Sequence, residues 1–336
     1  MKFLISYGIM KISMQIFKNI LEKILDKKPA HVGFVGEMIL DRFVVGYPER
    51  ISREAPVIIL RYERENLVPG GGANALNNLL SLGLEVNALT IVGNDTTGEI
   101  LMDIFKSKGV DLGGFIISEG RTTTEKTRFL AGGDVFPPQQ LLRLDRITEA
   151  EFREDEKKRF KGSLEKLLRE EEVIVVSDYG QFMFDEEIIE LINSFSHKKI
   201  LVDSRKSSGK FRGHFFITPN EAEAQEFAEG EGVQLASALK SNTDSRNVVV
   251  TLGEKGMAYA GEEGEVYVGR FGCGKAVEVS GAGDTVLAAL AYGTLVGLSP
   301  LEAVYLASVA AEVVVKKPGT ATVTVDEIID EISKVV

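Results

Sequence analysis

Late in the chain, Glu278-Val279-Ser280-Gly281-Ala282-Gly283-Asp284-Thr285 runs directly into the apolar stretch Val286-Leu287-Ala288-Ala289-Leu290-Ala291-Tyr292. The Ala-rich stretch predicts a helix that starts at the small residues. The first turn of a helix leaves N–H groups without intrahelical partners and carries the positive end of the macrodipole. With no bulky side chain at Gly281, Ala282 or Gly283, an anion can come close to those N–H groups. Asp284 would stand within reach of that anion as a proton acceptor. An anion hole beside a carboxylate base suits phosphoryl transfer to a hydroxyl, where positioning and charge stabilisation do most of the catalysis. Taken alone, the same residues fit a tight turn capped by Asp284 equally well.

A second glycine-rich segment, Pro69-Gly70-Gly71-Gly72-Ala73-Asn74, also precedes an apolar helical pattern. It is neither a Walker A loop nor a GxGxxG fingerprint, and the missing GxGxxG argues against a dehydrogenase. Asn74 offers both a donor and an acceptor there. Asp41 follows the short apolar strand Val32–Gly36, at a strand end where open α/β sheets gather ligands, and could hold two hydroxyls or cap a turn.

The elements that must position these residues alternate. Val173–Val176, Ile200–Val202, Phe215–Thr218 and Asn247–Thr251 read as buried strands, each ending in polar or glycine residues, as in a doubly wound sheet with one functional edge. Leu84–Val92 and Val110–Ile117 read as further strands, and Glu149–Glu172 as an amphipathic helix. Met257–Ala260 and Glu265–Gly269 read as a short antiparallel pair. Two excursions interrupt the alternation, at about 42–62 and 118–146, and both read as β-hairpins that need a partner surface. The second carries Lys126, Arg128 and Arg143 and turns over Gly132-Gly133-Asp134.

Composition sets bounds on function. The 336 residues carry 39 Lys and Arg against 50 Asp and Glu, a net charge of −11, which argues against a nucleic-acid partner. The single cysteine, Cys273, excludes an internal disulfide and a multi-cysteine zinc site. No apolar run reaches the ~20 residues of a membrane span. A cytoplasmic protein without a membrane partner is expected. Residues 1–29 read as an N-terminal helical extension with the stripe Ile16, Phe17, Ile20, Leu21, Ile24 and Leu25, which suits a helix docked on the core better than one lying on a membrane.

Together these elements resemble the ribokinase-like (PfkB) carbohydrate kinases. The matching motifs are Pro69-Gly70-Gly71-Gly72-Ala73-Asn74, Gly93-Asn94-Asp95, Pro219-Asn220-Glu221-Ala222-Glu223, Thr251-Leu252-Gly253 and Gly281-Ala282-Gly283-Asp284-Thr285, in the family's order. The resemblance implies a three-layer α/β/α domain over 30–336, with a mostly parallel central sheet and a small β-sheet lid built from the two insertions. It implies ATP-dependent phosphorylation of a sugar hydroxyl with Asp284 as base and the Gly281, Ala282 and Gly283 amides around the transferring phosphate. Asn220, Thr251, Gly253 and Gly256 would line the nucleotide, and Asn220 with Glu223 would arrange Mg2+ mostly through water. Asp41, Gly71, Gly72 and Asn74 match sugar contacts.

Within that family the chain is most similar to the kinase half of heptose-phosphate kinase/adenylyltransferase proteins. Leu40-Asp41-Arg42, Arg50-Ile51-Ser52-Arg53-Glu54-Ala55-Pro56-Val57, Arg143-Leu144-Asp145, Ser177-Asp178-Tyr179 and Lys317-Pro318-Gly319-Thr320 carry that likeness. It implies the C1 hydroxyl of D-glycero-D-manno-heptose 7-phosphate as acceptor, with Lys126, Arg128, Arg143, Asp145 and Asp178 on the substrate side. No HxGH motif occurs, so nucleotidyl transfer is not expected in this chain. Where the family has Asp at a monovalent-cation site, this chain has Glu278, which argues against potassium dependence. Gly36-Glu37 stands where the heptose kinases have Gly-Asp. Another phosphorylated or acidic sugar (a fructose phosphate, a ketogluconate) is the alternative substrate, and a non-catalytic sugar or nucleotide sensor the alternative class. A homodimer through the lid hairpins is expected, because their edges need cover.

Overall fold

The computed structural model describes residues 2–26, 30–132, 138–147, 150, 152–272 and 279–336. Among them, segments that are apolar on both faces form the parallel part of a nine-stranded sheet, as strands covered on both sides must. These are β1 (His31–Gly36), β4 (Glu85–Gly93), β5 (Phe115–Ser118), β8 (Val173–Asp178), β9 (Lys199–Ser204), β10 (Phe216–Ile217) and β11 (Asn247–Thr251). The antiparallel pair β12 (Met257–Gly261) and β13 (Gly264–Val268) extends one edge, giving the order β13-β12-β11-β10-β9-β8-β1-β4-β5. The strand order turns back at β1, which pairs in parallel with both β4 and β8. A crevice opens at the carboxyl ends of strands at such a point.

Helices cover both faces. One layer holds α1 (Lys2–Leu25), α2 (Gly72–Ser81), α3 (Thr96–Ser107), α8 (Ala282–Leu295), α9 (Pro300–Val315) and α10 (Val325–Ser333). The other holds α4 (Glu154–Glu170), α5 (Glu186–Asn193), α6 (Glu221–Gln225) and α7 (Gly232–Thr243). The α8 helix is buried nearly all round, which explains its Ala-rich sequence: small side chains let it pack between α2, α9 and the sheet. In α9, Pro300 opens the helix and Ser299 and Glu302 form a reciprocal capping box. The α1 stripe docks on the core through Phe17, Ile20 and Ile24, and Lys23 pairs with Glu302 at 3.0 Å. Among the described residues, no helix is long and apolar enough to cross a membrane.

The two hairpins form one separate four-stranded sheet, in the order β3-β2-β6-β7. Its strands are β2 (Met38–Ile51), β3 (Ile58–Gly71), β6 (Thr124–Ala131) and β7 (Gln139–Arg146). Parallel pairing of β2 with β6, from Ile39↔Thr124 to Gly46↔Ala131, joins them. The expected strand over Val110–Ile117 is shorter. Asp111 accepts the Gly113 N–H and sets a single 3-10 turn over Leu112–Gly114, so pairing begins only at Phe115. The amphipathic helix begins at Glu154, after Phe152. Gly133, Asp134, Glu149, Cys273 and Glu278 lie outside the described residues.

Candidate active site

A cleft of about 420 Å3 runs along the carboxyl ends of β8 to β11 and under the start of α8. Its wall contains Gly281, Ala282, Gly283 and Asp284, together with Asn220, Glu223, Thr251, Gly253 and Gly256. The residues expected at the donor side therefore share one cavity. Gly281 caps α8 with φ 82°, a conformation that favours glycine, and an added Cβ would meet Asn74 Nδ2 at 2.5 Å. The Gly283 N–H lies in the first turn, beyond reach of the helix's own carbonyls, and the space above its Cα is open. The Ala282 N–H, by contrast, donates to the Val279 carbonyl at 3.3 Å and closes the turn. The anion-accepting geometry thus rests mainly on Gly283 and the helix end.

Asp284 is 2% exposed, and each of its oxygens has a separate donor. Asn74 Nδ2 donates to Oδ2 at 2.8 Å, and the Tyr179 hydroxyl donates to Oδ1 at 2.7 Å. Burial pushes the Asp284 carboxyl up to about 6, although both hydrogen bonds and nearby Arg205 favour its charged form. At neutral pH it is mostly ionised, yet basic enough to take a proton. Asn74 is itself held by α2, where Asn78 Nδ2 donates to its Oδ1 at 3.2 Å. Gly72 lets that helix start against the neighbouring backbone, since a Cβ there would lie 2.6 Å from the Glu37 carbonyl oxygen.

The side chains on this cleft that escaped the sequence reading include Tyr179, Asp203, Arg205 and Arg270. Tyr179 stood inside a matched motif, and Asp203 and Arg205 at a strand end, so position was the available signal. The Arg205 guanidinium lies 4.1 Å from the centre of the Tyr179 ring, and no carboxylate among the described residues is within ion-pair distance of it. Asp203 is pushed well above the usual carboxylate range, by burial first and then by Glu223 and Asp284. Burial also raises Glu223, whose side chain accepts the Asn220 N–H at 2.9 Å while Asn220 Oδ1 accepts the Glu223 N–H. Two carboxyls that resist ionisation next to each other suit a divalent cation, whose charge would relieve both. Among the described residues no group of three or more His, Cys, Asp or Glu could cage a metal, so water and phosphate oxygens would supply most ligands.

On the small sheet, the register sets Asp41, Lys126 and Asp145 side by side, and Phe43, Arg128 and Arg143 in the next row. Asp41 is nearly buried; Arg128 Nη1 donates to its Oδ1 at 2.7 Å and Thr320 Oγ1 donates to its Oδ2 at 3.3 Å. Arg143 and Asp145 pair with each other at 2.9 Å. Lys126 is half-buried and held below the usual lysine range, by burial first and then by Arg205. Asp178 is placed differently from the rest of the expected substrate set. It is not part of the cleft wall, and its carboxylate accepts from the Gly180 N–H and the Ser204 hydroxyl. Gly71 and Gly72 bring α2 up to β2 and stand next to Asn74.

Residues 30–327 match the family described as pfkB family carbohydrate kinase. The bifunctional protein HldE of Nitratiruptor sp. is 34% identical over 308 residues, covering 88% of this chain and 63% of that protein. HldE of Geobacter sulfurreducens is 35% identical over 316 residues, covering 89% of this chain and 63% of the relative. The chain therefore spans less than two-thirds of the length of these relatives. Phosphofructokinase-2 from Escherichia coli, solved with substrates and products, superposes with a TM-score of 0.73 at 19% identity, over 91% of this chain and 99% of that one. Arabidopsis thaliana ribokinase, solved with ribose and ATP, gives 0.69 at 16% identity, over 91% and 99%. These structures share the three-layer fold. The ordered motifs, converging on one cleft, agree with the match over nearly the whole chain, and the protein belongs to the pfkB family of carbohydrate kinases.

Proposed function

We propose that the protein transfers the γ-phosphoryl group of ATP to the C1 hydroxyl of D-glycero-D-manno-heptose 7-phosphate. The observation that carries the transfer is Asp284, an ionised but basic carboxylate fixed by two donors beside the open Gly283 N–H. The triphosphate would lie along Asn220, Thr251, Gly253 and Gly256, with its γ-phosphoryl group at the start of α8. The sugar would lie toward Asp41 and Asn74, under the small sheet acting as a lid. Asp284 takes the hydroxyl proton as the sugar oxygen bonds to phosphorus and the bond to the ADP oxygen breaks. The α8 N-terminus and Arg205 stabilise charge on the moving group. Asp203, Asn220 and Glu223 would hold Mg2+ through its waters; when bound, that ion neutralises phosphate charge.

On the small sheet, a half-buried Lys126 faced by the like charge of Arg143 supports an acceptor that already carries a phosphate, because two cations held together favour a shared anion. The likeness to the HldE proteins points to the heptose. Potassium dependence is not part of the proposal, since Glu278 replaces the usual Asp. We also assign the exposed apolar face of the small sheet to a second copy of the chain. Val57, Ile58, Tyr62, Leu141 and Leu142 line a groove there of about 510 Å3. Light scattering at micromolar concentration should give a dimer mass.

The deciding experiment pairs a substrate panel with Asp284→Asn. Heptose 7-phosphate should be consumed with ATP faster than fructose 6-phosphate or a ketogluconate. The variant should lose at least ~1,000-fold in kcat and still bind ATP. Turnover of fructose 6-phosphate alone would transfer the reading to that sugar. ATP binding with no transfer to any sugar would favour a sensor.

A further inference from the structure

The loop between β8 and α5 has an unusual backbone. Gly180 lies at φ 70° and Phe182, a bulky residue with an exposed ring, lies at φ 66°. A non-glycine residue in that region costs energy and persists only where its surroundings hold it. The surroundings here are specific. The buried Glu37 carboxylate accepts the Tyr179 N–H at 2.7 Å and the Gln181 and Met183 N–H groups at 2.9 Å each. Arg121 Nη2 donates to the Gln181 carbonyl at 2.7 Å, and Thr124 Oγ1 donates to the Gln181 side chain at 2.7 Å. Both ends of this clamp therefore belong to segments that enter the small sheet, Glu37 before β2 and Arg121 to Thr124 at the start of β6.

The product of the clamp is the placement of one phenol. The Tyr179 hydroxyl reaches the Asp284 Oδ1 that Asn74 leaves unserved, while the Tyr179 ring carries Arg205 on its face. We infer that Tyr179 is a positioning residue for Asp284, and that Glu37 acts through Tyr179 by holding the strained loop that presents it. The inference rests on the reading of Asp284 as base. With Tyr179 in place the carboxylate cannot rotate about its last bond, and both of its oxygens remain acceptors. The phenol favours the ionised carboxylate, because a neutral donor stabilises that form. The charged groups that face this carboxylate are Asp41 from β2 and Arg205 and Asp203 from the end of β9, while Glu223 from α6 faces Asp203. Glu37, raised to about 7 by burial and then by Asp178, faces Arg121.

Tyr179→Phe keeps the ring and the Arg205 stack and removes only the hydroxyl. With ATP and heptose 7-phosphate, or fructose 6-phosphate if that is the sugar turned over, kcat should fall about 10- to 100-fold with both KM values within about threefold. The acid limb of the kcat profile should move up by about one pH unit. Glu37→Gln sets an amide N–H2 against three N–H donors, so it should shift kcat and the acid limb in the same direction by less. The double variant should be no worse than Tyr179→Phe, since Glu37 works through Tyr179. An unmoved acid limb in Tyr179→Phe, with or without a drop in melting temperature, would overturn the inference. So would losses that multiply in the double variant. Asp284→Asn separates the two readings: if it retains turnover the base assignment fails, whereas an inactive Asp284→Asn with a normal Tyr179→Phe removes only the positioning role.

Discussion

The donor side of the cleft and the acceptor side are built on opposite terms. On the donor side, side chains come from the ends of β8 to β11 and the first turn of α8, all anchored in the large sheet, and a cavity is already formed. Arg205 there is unpaired by any described carboxylate and is held by an aromatic face. On the acceptor side the arginines are paired, Arg128 with Asp41, Arg143 with Asp145 and Arg42 with Glu65 and Glu125, while Lys126 makes no ion pair with a described carboxylate. A preformed cavity needs little reorganisation to receive the triphosphate, whereas a paired acceptor side must exchange internal contacts for contacts to the sugar. On the proposed reading, the cost of binding falls unequally on the two substrates.

Substitutions on the two sides should therefore fail in different ways. Arg205→Ala should give the largest change, a loss of about 100-fold in kcat, if its charge faces the moving phosphoryl group as proposed. Single-turnover measurements with saturating ATP check this; a change confined to the KM for ATP would move Arg205 from the transition state to ground-state binding. Arg128→Ala should raise the sugar KM about tenfold and leave the ATP KM unchanged, as it leaves Asp41 nearly buried without its cation. Initial rates with each substrate varied in turn give the test. Asp41→Asn in the same chain should recover part of the loss if the damage is the uncompensated carboxylate.

The smallest effect concerns stability. Asp284 titrates at about 6 in the folded chain against an ordinary 3.8, so the folded state binds its proton more tightly than the unfolded state does. Stability then falls as pH rises through the window from 3.8 to 6 and stays reduced above it. Asp284→Asn should remove this penalty. It should be more stable than the parent at pH 8 by up to about 3 kcal/mol, less what the new amide N–H2 costs beside the Asn74 and Tyr179 donors, with the difference vanishing near pH 4. Urea midpoints at the two pH values measure it. The base would then be the place where the donor side gives up stability for reactivity.

Much of this was legible in the linear chain because it is local. The Ala-rich pattern after Gly283 predicts α8, the apolar runs predict β8, β9 and β11, and glycines before helices predict where an anion can approach. The Lys126, Arg128 and Arg143 cluster could also be found, but not its pairing, because Asp41 is a neighbour only through the β2–β6 register. The Val110–Ile117 pattern misled for a comparable reason: the apolar residues are there, but the Asp111 turn takes the backbone out of the sheet.

What the sequence by itself determined is the type and order of the chemical parts: an anion-accepting helix start, a carboxylate, two glycine turns, the Asn220 and Glu223 cap. These depend on backbone conformations that a few adjacent residues dictate. The environment that raises the Asp284 carboxyl is a tertiary product. Tyr179 is 105 residues away from it, Asn74 is 210 away, and Glu37, which holds the Tyr179 loop, is 142 residues from Tyr179. Only folding around the β1–β8 switch brings them within hydrogen-bond reach, and burial, which no local pattern encodes, sets the basicity of the carboxylate.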